Sequence, residues 1–301
     1  MDLLNNAYSG ATAAVLSALL WAIASTFFER AGKKIVPVEL NLIKGVLALL
    51  FIATTLFFTG ETFTNFDLRS AILLIISGVT GIGVGDTAYF KSLDQLGARR
   101  ALLIGSINPA ITALIAMLFL KENLSLAAWI GISITIAGIT WVIAEQSNHH
   151  EEGNHFPLQG VIFGLIASLG QAVGAVLSRA VLSQTTISPL QSNLFRLGAG
   201  VISLSIWIAI MRIPIGGWIR VEKPRQTALQ IVSATFLGTF LGMWLQQTAI
   251  KLSQVGVAQT LSSTSPLFIL PISILGGEKI SARAVLGALL AMAGIILLFL
   301  A

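Results

Sequence analysis

Three ionisable residues, Lys44, Asp86 and Arg196, lie well inside long apolar stretches of the chain. A charge at the centre of a bilayer costs about 2.5 to 3.5 kcal/mol on insertion scales, so each of these residues needs a partner or water. The depths of Lys44 and Asp86 below the same membrane face agree within about one helical turn. This spacing allows a charge pair lining a cavity, in which Asp86 would bind a cationic group or a proton. The alternative is that Lys44 reaches the lipid headgroups and Asp86 caps a helix end.

Arg196 has no carboxylate at a matching depth. In a wet cavity, an unpaired arginine attracts a carboxylate or a phosphate through its fork of N–H donors. The alternative is a structural anchor, in which Arg196 binds backbone carbonyls or a lipid phosphate.

Uncharged polar and amphipathic side chains also occur inside the apolar stretches. Asn41 and Asn193 precede Lys44 and Arg196 by three residues, so each shares a helical face with its cation. The others are Trp21, Gln171, Trp244, Gln246, Gln247 and Gln259. Taken singly, each amide is best explained as a contact between helices, worth about 0.6 kcal/mol. As a set facing one cavity, they would suit an amphiphilic or zwitterionic solute.

Two prolines, Pro109 and Pro266, interrupt apolar stretches at corresponding places. A proline inside a helix frees a carbonyl one turn earlier and bends the helix. Static kinks are one interpretation, and a pair of hinges for two gates is the other.

Other functional classes find little support. No His or Cys lies in an apolar stretch and no two carboxylates face each other there, so an enzyme, a metal site or a cofactor is not expected. The run from Gly81 to Asp86 imitates a dinucleotide loop, but close helix packing through Gly81 and Gly85 explains it better. The net charge of +5 comes from basic residues scattered among loops, which does not predict nucleic-acid binding. A cluster of polar residues could chelate a metal but is better explained as a solvated linker: His149, His150, Glu151, Glu152 and His155.

Composition predicts the elements that hold these residues. The chain of 301 residues is 55% hydrophobic and only 10% charged, too little polar surface for a soluble fold. Its apolar stretches of roughly 20 residues match the hydrocarbon thickness of a bilayer. We therefore predict an all-α integral membrane protein with ten transmembrane helices, at residues 10–28, 36–58, 69–90, 101–120, 125–144, 157–178, 189–211, 226–247, 255–276 and 280–300.

The two halves of the chain repeat each other. The segment that begins at Lys251 lies 157 residues after a similar one that begins at Asp94. This offset pairs Gly81 with Gly238, Gly85 with Gly242 and Pro109 with Pro266; with one residue of slippage, Glu122, Gly131 and Gly138 pair with Glu278, Gly287 and Gly294. The repeats are predicted at residues 1–144 and 157–301, joined by a polar linker at residues 145–156.

The parity of the repeat predicts its arrangement. Each half has five spans, so the second half enters the membrane the opposite way up, and inverted repeats around a midplane site suit alternating access. The same pairing places Met243 at the position of Asp86, and places Arg196 near the membrane face opposite to Lys44. The loops after odd-numbered spans hold most of the Lys and Arg residues, which predicts that they are cytoplasmic and that both termini lie outside.

Two segments resemble a known family. They are GDTAYFKSLDQLGARRALLIGSINPAITALIAMLFLKENLSLAAWIGISITIAGITWV and the copy that begins GTFLGMWLQQTAIKLSQVGVAQTL. Both resemble the closing part of an EamA domain of the drug/metabolite transporter superfamily. The resemblance implies a ten-helix secondary carrier with a central cavity that exports amino acids, other metabolites or drugs. It also implies cytoplasmic termini, against the loop charges, and Lys44 stands where many relatives have Arg.

The predicted function is a secondary transporter in the inner or plasma membrane, exporting a small solute with coupling to protons or by exchange. Two complete halves make a functional monomer plausible, and membrane lipid is the other expected partner. The alternative is a lipid-linked substrate translocase or a non-transporting membrane scaffold.

Overall fold

The computed structural model describes residues 2–32, 35–61, 67–105, 107–145, 158–265, 267–268 and 282–300. All regular structure among these residues is helical. Within the described ranges, six helical stretches are long and apolar enough to cross a membrane, and three shorter apolar helices accompany them. The chain is therefore a multi-pass membrane protein, while the count of ten spans remains a prediction.

The described residues of the first half form six α-helices: α1 (Asp2–Gly32), α2 (Pro37–Thr59), α3 (Leu68–Gly78), α4 (Thr87–Gly105), α5 (Asn108–Phe119) and α6 (Leu126–Glu145). A wider π-helical turn, Val79–Asp86, joins α3 to α4 without a break, and we call it the first π segment.

The second half repeats this order with α7 (Leu158–Leu182), α8 (Pro189–Met211), α9 (Pro224–Ala234), α10 (Met243–Leu252), α11 (Val255–Ser262) and α12 (Ala282–Leu300). The second π segment, Thr235–Gly242, joins α9 to α10.

Local sequence signals set the helix ends near the site. Pro37 and Pro189 lie in the first turns of α2 and α8, where a missing N–H costs nothing. Ser188 caps α8 and forms a capping box with Gln191. Gly60 ends α2 with a φ of +65°, a left-handed conformation that glycine adopts without strain.

The predicted loop after the third span is wrong. Residues 91–100 belong to α4, which continues to Gly105. The polar residues there occupy one face of a helix: Asp94 and Gln95 are exposed, while Ser92 and Leu96 are buried against α7. The Ser92 hydroxyl donates a hydrogen bond to the Gly160 carbonyl at 2.9 Å.

The role predicted for Pro109 as a kink inside a helix is also wrong. Pro109 lies in the first turn of α5, after α4 has ended at Gly105, so it does not remove an internal hydrogen bond. The break before it can still bend, and a hinge there remains a prediction. Pro266 lies outside the described residues.

The last helices of the two halves pack closely through small residues. A Cβ atom added at Gly138 would lie 2.7 Å from the Gly287 carbonyl oxygen. One added at Gly131 would lie 3.1 Å from the Gly294 carbonyl oxygen. These four glycines belong to the two pairs that the repeat identifies, but the contacts cross over, because each glycine faces the equivalent of the other one. Only hydrogen at Cα permits this approach of α6 and α12.

Each π segment packs against the first helix of the other half. Gly81 and Gly85 in the first π segment approach α7 at Gly170 and Gln171. The second π segment approaches α1, where Gly242 lies beside Trp21. This exchange of helices between the halves places both π segments in the interior.

Candidate functional site

Lys44 and Asp86 form a buried ion pair. The Lys44 Nζ atom donates a hydrogen bond to Asp86 Oδ2 at 2.7 Å. The Lys44 side chain is 2% exposed and that of Asp86 is 15% exposed. Lys44 therefore does not reach the lipid headgroups. Asp86 does not cap a helix end either, since the helix continues for nineteen residues beyond it in α4.

Two amide side chains complete the surroundings of Asp86 and its π segment. Gln171 Nε2 donates to Asp86 Oδ1 at 2.5 Å and to the Gly81 carbonyl at 3.2 Å. Asn41 Nδ2 donates to the Ile82 carbonyl at 3.1 Å. The π segment thus exposes carbonyls that side chains from α2 and α7 can reach. Both carboxylate oxygens of Asp86 are occupied in this conformation.

Aromatic rings enclose the ammonium group of Lys44. Its Nζ atom lies 5.0 Å from the centre of the Phe90 ring and 6.0 Å from those of Trp21 and Phe28. Rings at such distances attract a cation through their faces and exclude water. Trp21, predicted from its amphipathic character, thus contacts the site through its ring.

Arg196 approaches the same π segment from α8. Its backbone packs against Gly78, and its Nη2 atom would lie 3.5 Å from a Cβ atom added at Gly81. Asp86 lies within electrostatic range of this guanidinium, although the two form no ion pair. Arg196 was predicted near the opposite membrane face. The Arg196 backbone lies beside Gly78, which is eight residues before Asp86 in the chain. Its side chain extends along the π segment, past Gly81, in the direction of Asp86.

The side chains of Arg196 and Asn193 are buried without matching partners. Arg196 is 3% exposed and Asn193 is 0% exposed. Arg196 Nε and Nη1, and both polar atoms of the Asn193 side chain, have no hydrogen-bond partner. With so little exposure, Arg196 does not contact a lipid phosphate at the surface.

A group of buried hydroxyls continues the polar region next to Asn193. The Ser77 and Ser178 hydroxyls are 3.0 Å apart. Gln247 Nε2 donates to Ser192 Oγ at 3.0 Å, while Gln247 Oε1 has no partner. Helices α3, α7, α8 and α10 therefore contact one another through hydrogen bonds between buried polar side chains.

The other predicted amides form a separate pair. Gln246 Nε2 donates to Gln259 Oε1 at 3.0 Å, which joins α10 to α11. Trp244 stacks near Phe240 with ring centres 6.0 Å apart. The structure does not bring these residues into contact with Asp86.

Sequence reasoning missed a second buried ion pair between the halves. Arg179 Nε donates to Glu122 Oε1 at 2.5 Å, and Arg179 Nη1 donates to the carbonyls of Ile250 and Lys251 at 2.8 Å. Glu122 Oε2 accepts the backbone N–H of Val255 at 3.0 Å. One pair thus caps the end of α10 and the start of α11. The signal was available, because Glu122 and Arg179 both flank predicted spans.

The predicted linker lies almost wholly outside the described residues, including its three histidines. Among the residues that are described, no group of three or more metal-ligating side chains is assembled.

Comparison with known proteins adds family information to this geometry. The sequence pattern of the EamA-like transporter family matches the chain twice, at residues 8–144 and 158–300. The two matches cover nearly the entire chain.

Three relatives are named as transporters. One from Archaeoglobus fulgidus is 26% identical over 296 residues, covering 94% of this chain and 95% of that protein. YyaM of Bacillus subtilis, an uncharacterised transporter, is 26% identical over 241 residues, covering 76% of this chain and 73% of YyaM. One from a Sinorhizobium species is 29% identical over 127 residues, which cover 42% of this chain but 89% of that relative. That relative is therefore about half as long.

A solved crystal structure superposes on the chain with a TM-score of 0.79, covering 96% of both chains at 15% identity. At that identity, the likeness shows a shared fold only.

Proposed function

Because the chain belongs to the EamA-like transporter family, we propose that it is a secondary transporter that exports small metabolites, such as amino acids or amphiphilic compounds. It would act by alternating access in the inner or plasma membrane, coupled to protons or by exchange. The observation that carries the proposal is the Lys44–Asp86 ion pair, which lies in the interior of a membrane protein at 2.7 Å. A membrane scaffold has no need of such a costly pair.

The ion pair provides a switch between two states. A proton or a cationic group that arrives at Asp86 competes with Lys44 for the same oxygen. Once Asp86 is neutral, the attraction that holds α2 to the first π segment is lost. Gln171, which binds Asp86 and the Gly81 carbonyl together, would pass this change to α7. Because π turns are often functional sites, the segment is a plausible place for the movement.

The arrangement of the halves supports alternating access. The first π segment packs on α7 and the second on α1, so movement of either segment alters the interface between the halves. The Glu122–Arg179 pair joins the halves elsewhere in the structure. Exchanging these contacts would open one side of the protein as the other closes.

The test is flux of radiolabelled amino acids from proteoliposomes, with and without a pH gradient. We expect flux that depends on the gradient in the wild type and is lost in Asp86→Asn. The matched control is Asp67→Asn, since Asp67 is exposed and lies outside the ion pair. Unchanged, gradient-dependent flux in Asp86→Asn would remove Asp86 from the coupling mechanism. Absence of flux across a broad metabolite panel would contradict the carrier function.

A lipid-linked substrate translocase is the second candidate. An apolar groove of about 490 Å³ runs between α2, α3 and α8 on the outer surface, and it includes Leu49, Ile75 and Ile202. Such a groove could take the acyl chain of a lipid-linked substrate. Movement of a fluorescent phospholipid between leaflets, without solute flux, would favour this candidate.

A further inference from the structure

Arg196 is the one buried cation, among the described residues, that has no carboxylate in ion-pair distance and whose Nε and Nη1 atoms have no hydrogen-bond partner. The other buried or nearly buried charges are balanced locally: Lys44 by Asp86, Arg179 by Glu122, and Glu39 by the backbone N–H groups of Gly216 and Gly217. Among these charges, only that of Arg196 therefore has no local compensation. A buried, unpaired charge is costly, and it is retained where a ligand completes it.

Asn193 lies beside Arg196, and its side chain also lacks hydrogen-bond partners. It lies three residues before Arg196, on the same face of α8. Its amide can donate and accept, yet neither atom has a partner in a fully buried position. Two adjacent side chains with unused hydrogen-bonding atoms point to one missing group.

We propose that Arg196 and Asn193 form an anion subsite that binds the carboxylate of the transported solute. This proposal rests on the transport function and names the class of solute. The single uncompensated guanidinium matches the single charge of a carboxylate, whereas a phosphate monoester carries about −1.5 to −2 at neutral pH. The guanidinium forms charge-assisted hydrogen bonds with the carboxylate, and the Asn193 amide donates one more.

The aromatic residues near Lys44 define the rest of the solute. The rings of Trp21, Phe28 and Phe90 lie 5.0 to 6.0 Å from the Lys44 ammonium and present apolar surface beside the ion pair. A solute with an apolar body would place its carboxylate at Arg196 and its body towards these rings.

The first experiment compares three radiolabelled probes in proteoliposomes: 3-phenylpropionate, L-phenylalanine and L-phenylalaninamide. They share a phenyl ring and carry a carboxylate alone, a carboxylate with an ammonium, and an ammonium without a carboxylate. We expect flux of the first two only. In Arg196→Gln, KM for these should rise about 10- to 100-fold, as expected for losing a hydrogen bond to a charged group.

The matched control is Arg212→Gln. Arg212 is an exposed arginine that follows the last turn of the same helix. The Arg212→Gln variant should leave KM for 3-phenylpropionate and L-phenylalanine unchanged. Flux of L-phenylalaninamide that Arg196→Gln does not alter would overturn the carboxylate subsite while leaving the transport function intact.

A second experiment needs no transported solute. Asn193→Asp places a carboxylate of nearly the same shape next to Arg196. If the subsite is as proposed, this internal carboxylate satisfies Arg196, so thermal stability in nanodiscs rises and carriage of 3-phenylpropionate is lost. In the Arg196→Gln background, the same substitution should lower stability. Equal destabilisation in both backgrounds would overturn the proposal even if no probe is transported.

The remaining source of an anion is a lipid headgroup. Native mass spectrometry of the purified protein would detect a retained phospholipid. Its loss in Arg196→Gln, together with unaltered solute flux, would assign Arg196 to lipid binding and contradict the solute subsite.

Discussion

The two π segments share a backbone device but differ in chemistry. Each interrupts a long helix, at Val79–Asp86 and at Thr235–Gly242, and the repeat offset aligns them within one residue. In each segment, one backbone carbonyl accepts a hydrogen bond from a side chain of the first helix of the other half. Gln171 donates to Gly81 in the first segment, and the Ser17 hydroxyl donates to Gly242 at 2.8 Å in the second.

Only the first segment carries a charge. Asp86 binds Lys44 there, whereas Met243, which follows the second segment, packs in an apolar cluster with Trp21 and Phe240. The hydroxyls of Thr235 and Thr239 in the second segment have no partner. The wide turn therefore serves packing between the halves in both π segments, whereas the ion pair occurs in the first segment alone.

The largest effect should follow from breaking the ion pair on one side. Lys44→Met leaves Asp86 buried without its cation, so we expect a loss of about 3 to 5 kcal/mol of stability. Lys44→Met with Asp86→Asn should recover most of this loss. Met243→Leu, the volume-conserving change beside the second segment, should cost less than about 1.5 kcal/mol. Unfolding of the purified protein in detergent measures all three. If the double variant is no more stable than Lys44→Met, the two charges are not coupled.

A smaller effect should follow from adding a methyl group where the first segment begins. In Gly78→Ala, the Cβ atom would overlap the Arg196 backbone, so α3 and α8 must separate. We expect a cost of about 1 to 3 kcal/mol. Gly198→Ala is the control on α8, since no atom lies within 4 Å of its added Cβ. Gly238→Ala tests the second segment, where a Cβ meets only side-chain atoms. Equal costs for Gly78→Ala and Gly198→Ala would contradict the close approach.

The smallest effect concerns the N-termini of α3 and α9, the helices that precede the two π segments. Asp67 caps α3, and hydrogen bonding with Ser70 holds the pKa of its carboxyl below the ordinary value. Its contribution to stability is therefore present above the ordinary carboxyl pKa of about 3.9 and is lost as the pH falls through the lowered folded value. Asp67→Ala should lower the unfolding temperature slightly at pH 7, and the difference should narrow at pH 3.

The control for this prediction is Lys223→Ala. Lys223 stands at the corresponding start of α9 and makes no capping hydrogen bond through its side chain. It should have no effect at either pH. An Asp67→Ala difference that is the same at pH 7 and pH 3 would show that the charged cap is not its cause.

Much of the fold could be predicted because lipid leaves few options. Apolar stretches of membrane length identify helices, and the glycines that the repeat identifies lie in the contact between α6 and α12. The repeat does not predict which of them meet, because the contacts join non-equivalent positions. The polar part of α4 was predicted as a loop, since its buried face holds only small or isolated apolar residues such as Ser92 and Leu96. The π turns carry no distinct composition, so sequence alone could not predict them.

The site was predicted in part. Depth counting allowed the contact of Lys44 with Asp86, because rise per residue is fixed in a helix. It could not predict how far the Arg196 side chain extends along its own helix towards Gly81. The positions of Glu122 and Arg179 beside predicted spans indicated that both charges lie near span ends. That the two meet depends on how α7 ends against the turn between α10 and α11, which the sequence does not show.

The occurrence of the Lys44–Asp86 pair in only one of the two halves affects how the membrane potential acts on transport. A two-fold dimer of identical five-helix subunits would contain every buried charge twice. Fusion of two copies in one chain allows Lys44 and Asp86 to occur once. A transporter that protonates Asp86 once per cycle would move a single elementary charge with each solute, apart from the charge of the solute itself. A membrane potential of 100 mV would then contribute about 2.3 kcal/mol to each turnover.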